Sequence, residues 1–220
     1  MDYINENLKV WVNKFIDWDM YNEFKKTMNT IESLYLDKTI FPEKHNLLRV
    51  FKETLPENIK VVMIGMDPYP GSFNGKPSAC GRSFATENGY VNPSLKNIIK
   101  ELKDDIGNVD DPFDYSLSKW VEQGVFLYNT SLSLEEGMTG SHIYLWKDFT
   151  ENLISNLSRE YPDIVWILLG NNAKHFSEFI QSNYIVTAAH PSPLAKGMFF
   201  GSRIFSKTNN FLDEKSKIKW

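Results

Sequence analysis

VVMIGMDPYPG, residues 61–71, is the stretch on which the fold turns. Val61 to Met66 are mostly apolar, with two valines and an isoleucine, and read as a short buried strand. Asp67 follows at once, on a backbone stiffened by Pro68 and Pro70. A carboxylate at the mouth of a buried strand calls for a reason.

Upstream, residues 5–35 carry apolar positions at helical spacing, among them Leu8, Trp11, Phe15, Phe24, Met28 and Ile31. FPEKHNLLRVFKETLP, 41–56, reads as a helix opened by Pro42 and closed before Pro56. The strand then runs from Lys60 to Gly65. Downstream, Asn92–Ile106 is helical, with Leu95, Ile98, Ile99 and Leu102 on one face. GVFLYN, 124–129, is a second strand, 144–160 a helix, and DIVWILLG, 163–170, a third strand. Residues 171–182 form a helix capped by Asn171 or Asn172, YIVTAA, 184–189, a fourth strand, and 202–215 a last helix.

Strands alternating with helices give an α/β fold: a small four-stranded parallel sheet flanked by helices, in a single domain over 1–220. Ligands on such sheets sit at the carboxyl ends of the strands. The first strand ends in MDPYPG, the second in Asn129, the third in GNN and the fourth in HPSPLAKG. Strand order alone therefore brings Asp67, Asn129 and His190 to one edge.

Composition sets outer bounds. Hydrophobic residues are 42% and charged residues 24% of the 220, ordinary for a soluble globular chain. The formal charge of −4 argues against a non-specific nucleic-acid coat but leaves room for a local basic face. Cys80 is the only cysteine, so no disulfide forms within the chain and a reducing, cytoplasmic compartment is expected. No signal peptide and no apolar run of membrane-spanning length is present, so no membrane partner is expected. There is no Cys/His cluster for zinc and no glycine-rich phosphate loop, so no cofactor or metal is expected.

GMDPYPG, VNPSLKNI, GVFLYNTSLS and HPSPLAKGMFFGSRIFSKTNNFL, in this order, resemble uracil-DNA glycosylases of the family 1 type, from about residue 40 to the end. The resemblance implies excision of uracil from DNA, single- or double-stranded, by hydrolysis of the N-glycosidic bond of a flipped-out deoxyuridine. It gives Asp67 the stabilisation of an oxocarbenium-like sugar and the positioning of water. It gives His190 the stabilisation of the departing uracil anion. Asn129 would read the base, since its amide matches the N3–H and O4 edge that cytosine reverses. Tyr69 would stand against the C5 position, Phe84 would stack on the ring, and the Met66 backbone N–H would bind uracil. Pro93, Ser94, Pro191, Ser192 and Pro193 would contact the DNA backbone, Leu194 would wedge into the vacated stack, and Lys196, Arg203 and Lys207 would add positive charge. A monomer is implied, and a proteinaceous glycosylase inhibitor is a further partner of the type.

Taken singly, these residues have plainer readings: Asp67 a turn or cap, His190 a structural histidine, Asn129 a strand end, Ser94 an N-cap, Leu194 loop packing. Together those readings need coincidences at the ends of the right elements. Three departures stand out. The family usually has Gln where Met66 stands and His where Pro70 stands, Pro being the poxviral form; the 71–84 loop is longer than usual; and GRSF replaces a more apolar sequence. Two rival readings remain: a DNA-binding replication accessory protein that keeps the fold, and a small-glycoside hydrolase, which needs a second carboxylate near Asp67.

Overall fold

The computed structural model describes residues 5–107, 109–110 and 112–220; positions 1–4, 108 and 111 of the single domain read over 1–220 lie outside them. The helical series at 5–35 resolves into α1, Glu6–Asp17, and α2, Tyr21–Asp37. Asn5 caps α1 by accepting the Leu8 N–H at 2.9 Å.

The expected helix at 41–56 is mostly something else. Ile40–Phe41 is extended and pairs antiparallel with Leu134–Glu135, so the chain is committed to a strand where a helix was to start. A 3-10 turn at Lys44–Asn46 follows, and only Arg49–Glu53 is α-helical (α3). The short helix ends on borrowed donors. Trp11 Nε1 donates to the Thr54 carbonyl at 2.8 Å, and the Asn5 and Asn7 amides donate to the Lys52 carbonyl.

The alternation then proceeds: β1 Val61–Gly65, α4 Pro93–Ile106, α5 Ser118–Val121, β2 Val125–Asn129, α6 Ile143–Glu160, β3 Val165–Leu169, α7 Asn171–His175, β4 Ile185–Ala188 and α8 Ile204–Phe211. The four strands form one parallel sheet in the order β2-β1-β3-β4. Gly65 pairs with Asn129 at its carboxyl edge.

Period-two alternation divides each strand between two cores. Val62, Ile64, Phe126, Tyr128, Trp166 and Leu168 face α1, α3 and α6, where Trp11, Phe15, Phe51 and Phe149 pack edge to face. Val61, Met63, Val125, Leu127, Val165 and Ile167 face α4 and α8, meeting Leu95, Ile98, Leu102, Ile204 and Phe205. Each of these strand side chains is essentially buried, which stabilises by roughly 1.5–3 kcal/mol apiece. The sheet edge is thus a rigid platform for whatever follows it.

Two helix ends differ from the sequence reading. α7 stops at His175 and tightens into a 3-10 turn, Phe176–Phe179, because the next residues are tied to α6: Gln181 N–H donates to Ser158 Oγ at 3.1 Å. Its N-cap is Gly170, φ +87, not Asn171 or Asn172. α8 starts at Ile204 rather than at 202, since Arg203 holds φ +54, and it ends at Phe211. Its cap comes from another helix. The Asp105 carboxylate accepts the Phe205 and Ser206 N–H groups.

Asp105 belongs to a stripe along α4. Asn97 Nδ2 donates to the Pro191 carbonyl at 2.6 Å. Glu101, fully buried, accepts the Gly201 N–H at 2.7 Å and the Arg203 N–H at 2.8 Å. Positions 97, 101 and 105 lie one turn apart on one face. They hold both ends of the 191–206 segment.

Candidate active site

A cleft of about 440 Å³ opens at the carboxyl edge of the sheet. Met66, Asp67, Tyr69, Phe84, Ser94, Asn129, His190, Ser192 and Leu194 all line it; Pro93, Pro191 and Pro193 do not. Strand order had placed Asp67, Asn129 and His190 at one edge, the resemblance had supplied the others, and the fold brings all nine into one cavity.

Asp67 is held from both sides. Its Oδ2 accepts the Gly140 N–H at 2.6 Å, across 73 positions of sequence. The preceding carbonyl, of Met66, accepts the Ser131 N–H at 2.9 Å and Thr130 Oγ1 at 2.8 Å. Burial pushes the Asp67 carboxyl up to about 6, with the Gly140 bond opposing. It is therefore a carboxylate at neutral pH, but a poorly solvated one. Such a charge interacts strongly with a cation formed beside it.

His190 is half-buried, and burial holds its imidazole below the usual histidine range, so the ring is neutral at pH 7. Ser192 N–H donates to Nδ1 at 3.0 Å. A neutral ring that accepts at Nδ1 carries its proton on Nε2. The site thus holds a neutral hydrogen-bond donor. Gly170 makes this packing possible: a Cβ there would lie 2.9 Å from His190 Cβ.

Asn129 is buried at the end of β2. A Cβ on Gly65 would sit 2.4 Å from Asn129 Oδ1, so the amide oxygen occupies the space that a side chain at Gly65 would fill. Phe84 is buried with φ +62, a costly backbone for an aromatic residue, and its ring is 6.2 Å from that of His190. Tyr69 OH donates to the Phe84 carbonyl at 2.9 Å, and its ring packs on Phe41, Ala79 and Leu134. That cluster includes the small strand pair at 40–41 and 134–135, which gives the misread helix start a use: it backs a wall of the cleft.

The GRSF departure also has a structural reason. Arg82 is buried, its Nε and Nη2 each 2.8 Å from the Glu53 carboxylate, while Nη1 donates to the Ser116 carbonyl. Arg49 joins the same network through Glu53 and Glu87. Burial would raise the Glu53 carboxyl, but Arg82 and Arg49 outweigh it and hold it below the usual range. The network anchors the turn that carries Phe84. Met66 meets Asn172, whose amide lies against its sulfur. Leu194 is 90% exposed on a 3-10 turn, with nothing over it. Lys196 and Arg203 are exposed, and Lys207 Nζ donates to the Ser202 carbonyl.

The model of the Uracil DNA glycosylase superfamily matches residues 51–213. A uracil-DNA glycosylase of Campylobacter curvus is 43% identical over 187 residues, covering 82% of this chain and 79% of that protein. This chain belongs to the uracil DNA glycosylase superfamily. A second member, from Aliarcobacter butzleri, is 38% identical over 205 residues, 90% of this chain and 93% of that one. Among solved structures, the uracil-DNA glycosylase of mimivirus superposes with a TM-score of 0.83 at 28% identity, covering 99% of this chain and 90% of its own. A Y322F form of the mimivirus glycosylase in complex with UGI gives 0.77 at 30%, covering 84% and 70%. The superfamily fold is therefore present from β1 through α8, with the cleft at its edge. Gly65, Gly140, Gly170, Arg82 and Asn172 are among the participants that sequence reasoning passed over. Only Gly65, directly before the MDPYP turn, carried a readable signal.

Proposed function

We propose that this chain hydrolyses the N-glycosidic bond of deoxyuridine in DNA, releasing uracil and leaving an abasic site for base excision repair. The observation that carries the reading is the pairing, in one cleft, of a desolvated Asp67 carboxylate with a neutral His190 that keeps its proton on Nε2. Breaking the bond places positive charge on the sugar and negative charge on the base. Asp67 stabilises the first and positions the attacking water. His190 donates a hydrogen bond to the second. Neither group needs to exchange its proton beforehand.

Asn129, packed against Gly65, presents its amide to the uracil edge. Tyr69 blocks the C5 side, and Phe84 supports the ring. Leu194 enters the stack that the uridine leaves, while Ser94 and Ser192 meet phosphates. The rival two-carboxylate hydrolase is disfavoured because Asp67 is the one carboxylate among the described residues that line the cleft. The chain acts on single- and double-stranded DNA as a monomer in a reducing cytoplasm, and none of its described helices is long and apolar enough to cross a membrane. A proteinaceous inhibitor of the kind bound in the mimivirus structures would compete for this cleft.

The test is release of free uracil from a single-stranded oligonucleotide with one deoxyuridine. Release that disappears in a His190→Ala variant supports the assignment. DNA binding without release would return the accessory-protein reading.

A further inference from the structure

Within the 71–84 loop, residues 72–77 form a β-hairpin: Ser72 pairs with Pro77 and Phe73 with Lys76. Its two-residue turn, Asn74 and Gly75, has φ +50 and +72, the left-handed pair that favours Asn-Gly. The hairpin sets Phe73 beside Tyr90, with ring centroids 5.3 Å apart and planes at 28°. Both rings remain open to solvent, Phe73 at 39% and Tyr90 at 38%. One side chain locks the pair in place. Asn88 donates to the Lys76 carbonyl and to Ser78 Oγ, and its Oδ1 accepts the Tyr90 N–H at 3.0 Å.

The pair does not stand alone. Lys96 Nζ lies 5.7 Å from the Tyr90 ring centre. One turn along α4, Lys100, which is ion-paired with Asp104, lies 5.1 Å from the ring of Phe200. Phe200 belongs to the segment that carries Leu194, and Ser94, which lines the cleft, is two residues from Lys96. Aromatic faces and lysines therefore follow one another along an arc beside α4, from the Phe73–Tyr90 pair through Lys96 and Lys100 to Phe200. An exposed, pre-stacked aromatic pair with a lysine beside it suits an unpaired base with its phosphate. It does not suit duplex DNA, whose bases are already stacked.

We infer that Phe73 and Tyr90, with Lys96, form a second subsite that stacks a base of single-stranded DNA flanking the flipped uridine. This rests on the proposed function for the identity of the bound strand. The arc adds affinity for an unpaired strand, not rate.

The experiment compares Phe73→Ala, Tyr90→Ala and the double variant on three substrates. These are a deoxyuridine nucleotide with only its two flanking phosphates, a single strand of about 15 nucleotides, and the duplex of that strand. The double variant should raise KM on the long single strand about tenfold, with kcat and all kinetics on the minimal substrate unchanged. Tyr90→Trp should restore binding. Lys96→Gln should lower the salt dependence of single-strand binding by a slope of about 0.7. Equal losses on the minimal substrate would make the pair part of the uracil pocket. Equal losses on the duplex would make it a general backbone contact. No loss on the single strand would remove it. Each of these overturns the inference. If the wild-type chain released no uracil at all, the proposed function would fall instead. Fluorescence anisotropy with a uracil-free strand would still read the subsite, and loss of that binding in the double variant would keep it.

Discussion

Replacing Asp67 by Asn should inactivate the protein and stabilise it. Burial raises the carboxyl from 3.8 to about 6, so ionising it within the fold is unfavourable. At ~1.4 kcal/mol per pH unit the difference is about 3 kcal/mol, an upper figure because the cleft admits water. Below about pH 4 both folded and unfolded chains hold the proton, and the group has no net effect on stability. Between about 4 and 6 the folded chain binds more protons, so stability falls as pH rises. Above about 6 the loss is complete. Asn is neutral and nearly the same shape, and its Oδ1 can still accept the Gly140 N–H. At pH 8 the variant should therefore be more stable by up to ~3 kcal/mol, which raises Tm by roughly 6 °C for a chain of this length. At pH 4 the two proteins should unfold together. Uracil release should fall on the order of a hundredfold or more at pH 8, and the wild-type rate should rise through about pH 6 as Asp67 ionises. Thermal unfolding by circular dichroism from pH 4 to 8, alongside release assays, reads both. A Tm gap that is the same at pH 4 and pH 8, or a variant that is less stable at pH 8, would refute the reasoning.

Three further substitutions probe the cleft. Gly65→Ala puts a methyl 2.4 Å from Asn129 Oδ1 and 3.0 Å from Ser83 Cβ, so it should lower Tm by several degrees and cut uracil kcat/KM by ~100-fold or more; normal turnover would mean that the Asn129 amide need not keep its place against Gly65. Tyr69→Ala should admit thymine, which presents the same edge to Asn129 and differs only at C5; no thymine release over long incubation would move the C5 wall to another residue. Leu194→Ala should slow release from duplex DNA about tenfold more than from single strands, and equal losses would leave Leu194 as an ordinary loop residue.

The sheet was legible because its four strands are apolar runs with turn residues behind them, and a parallel sheet needs little else to be specified. Asp67, Asn129 and His190 were legible because strand ends are where such sheets present side chains. What escaped the sequence was set by partners far along the chain. Pro42 looked like a helix start, but pairing of Ile40–Phe41 with Leu134–Glu135 claims that backbone first. The late start of α8 depends on a carboxylate of α4, about 100 residues upstream. The Gly140 N–H that restrains Asp67 has no local signature, since a glycine in a loop is mute about which side chain it will meet. Arg82 looked like an intrusion into an apolar motif, and only Glu53 makes it sensible.

The polar stripe of α4 makes that helix a mechanical part. Ser94 sits at one end of it, in the cleft, and Asn97, Glu101 and Asp105 fasten the segment that carries Leu194 along its side. A load on the Leu194 turn therefore passes through partly buried hydrogen bonds into a rod some 20 Å long. It returns to the cleft at Ser94 with little lost to bending. Ser94 and the Leu194 turn are both fastened to this one helix. A substitution that loosens one slackens the other, so the grip cannot be retuned one side at a time.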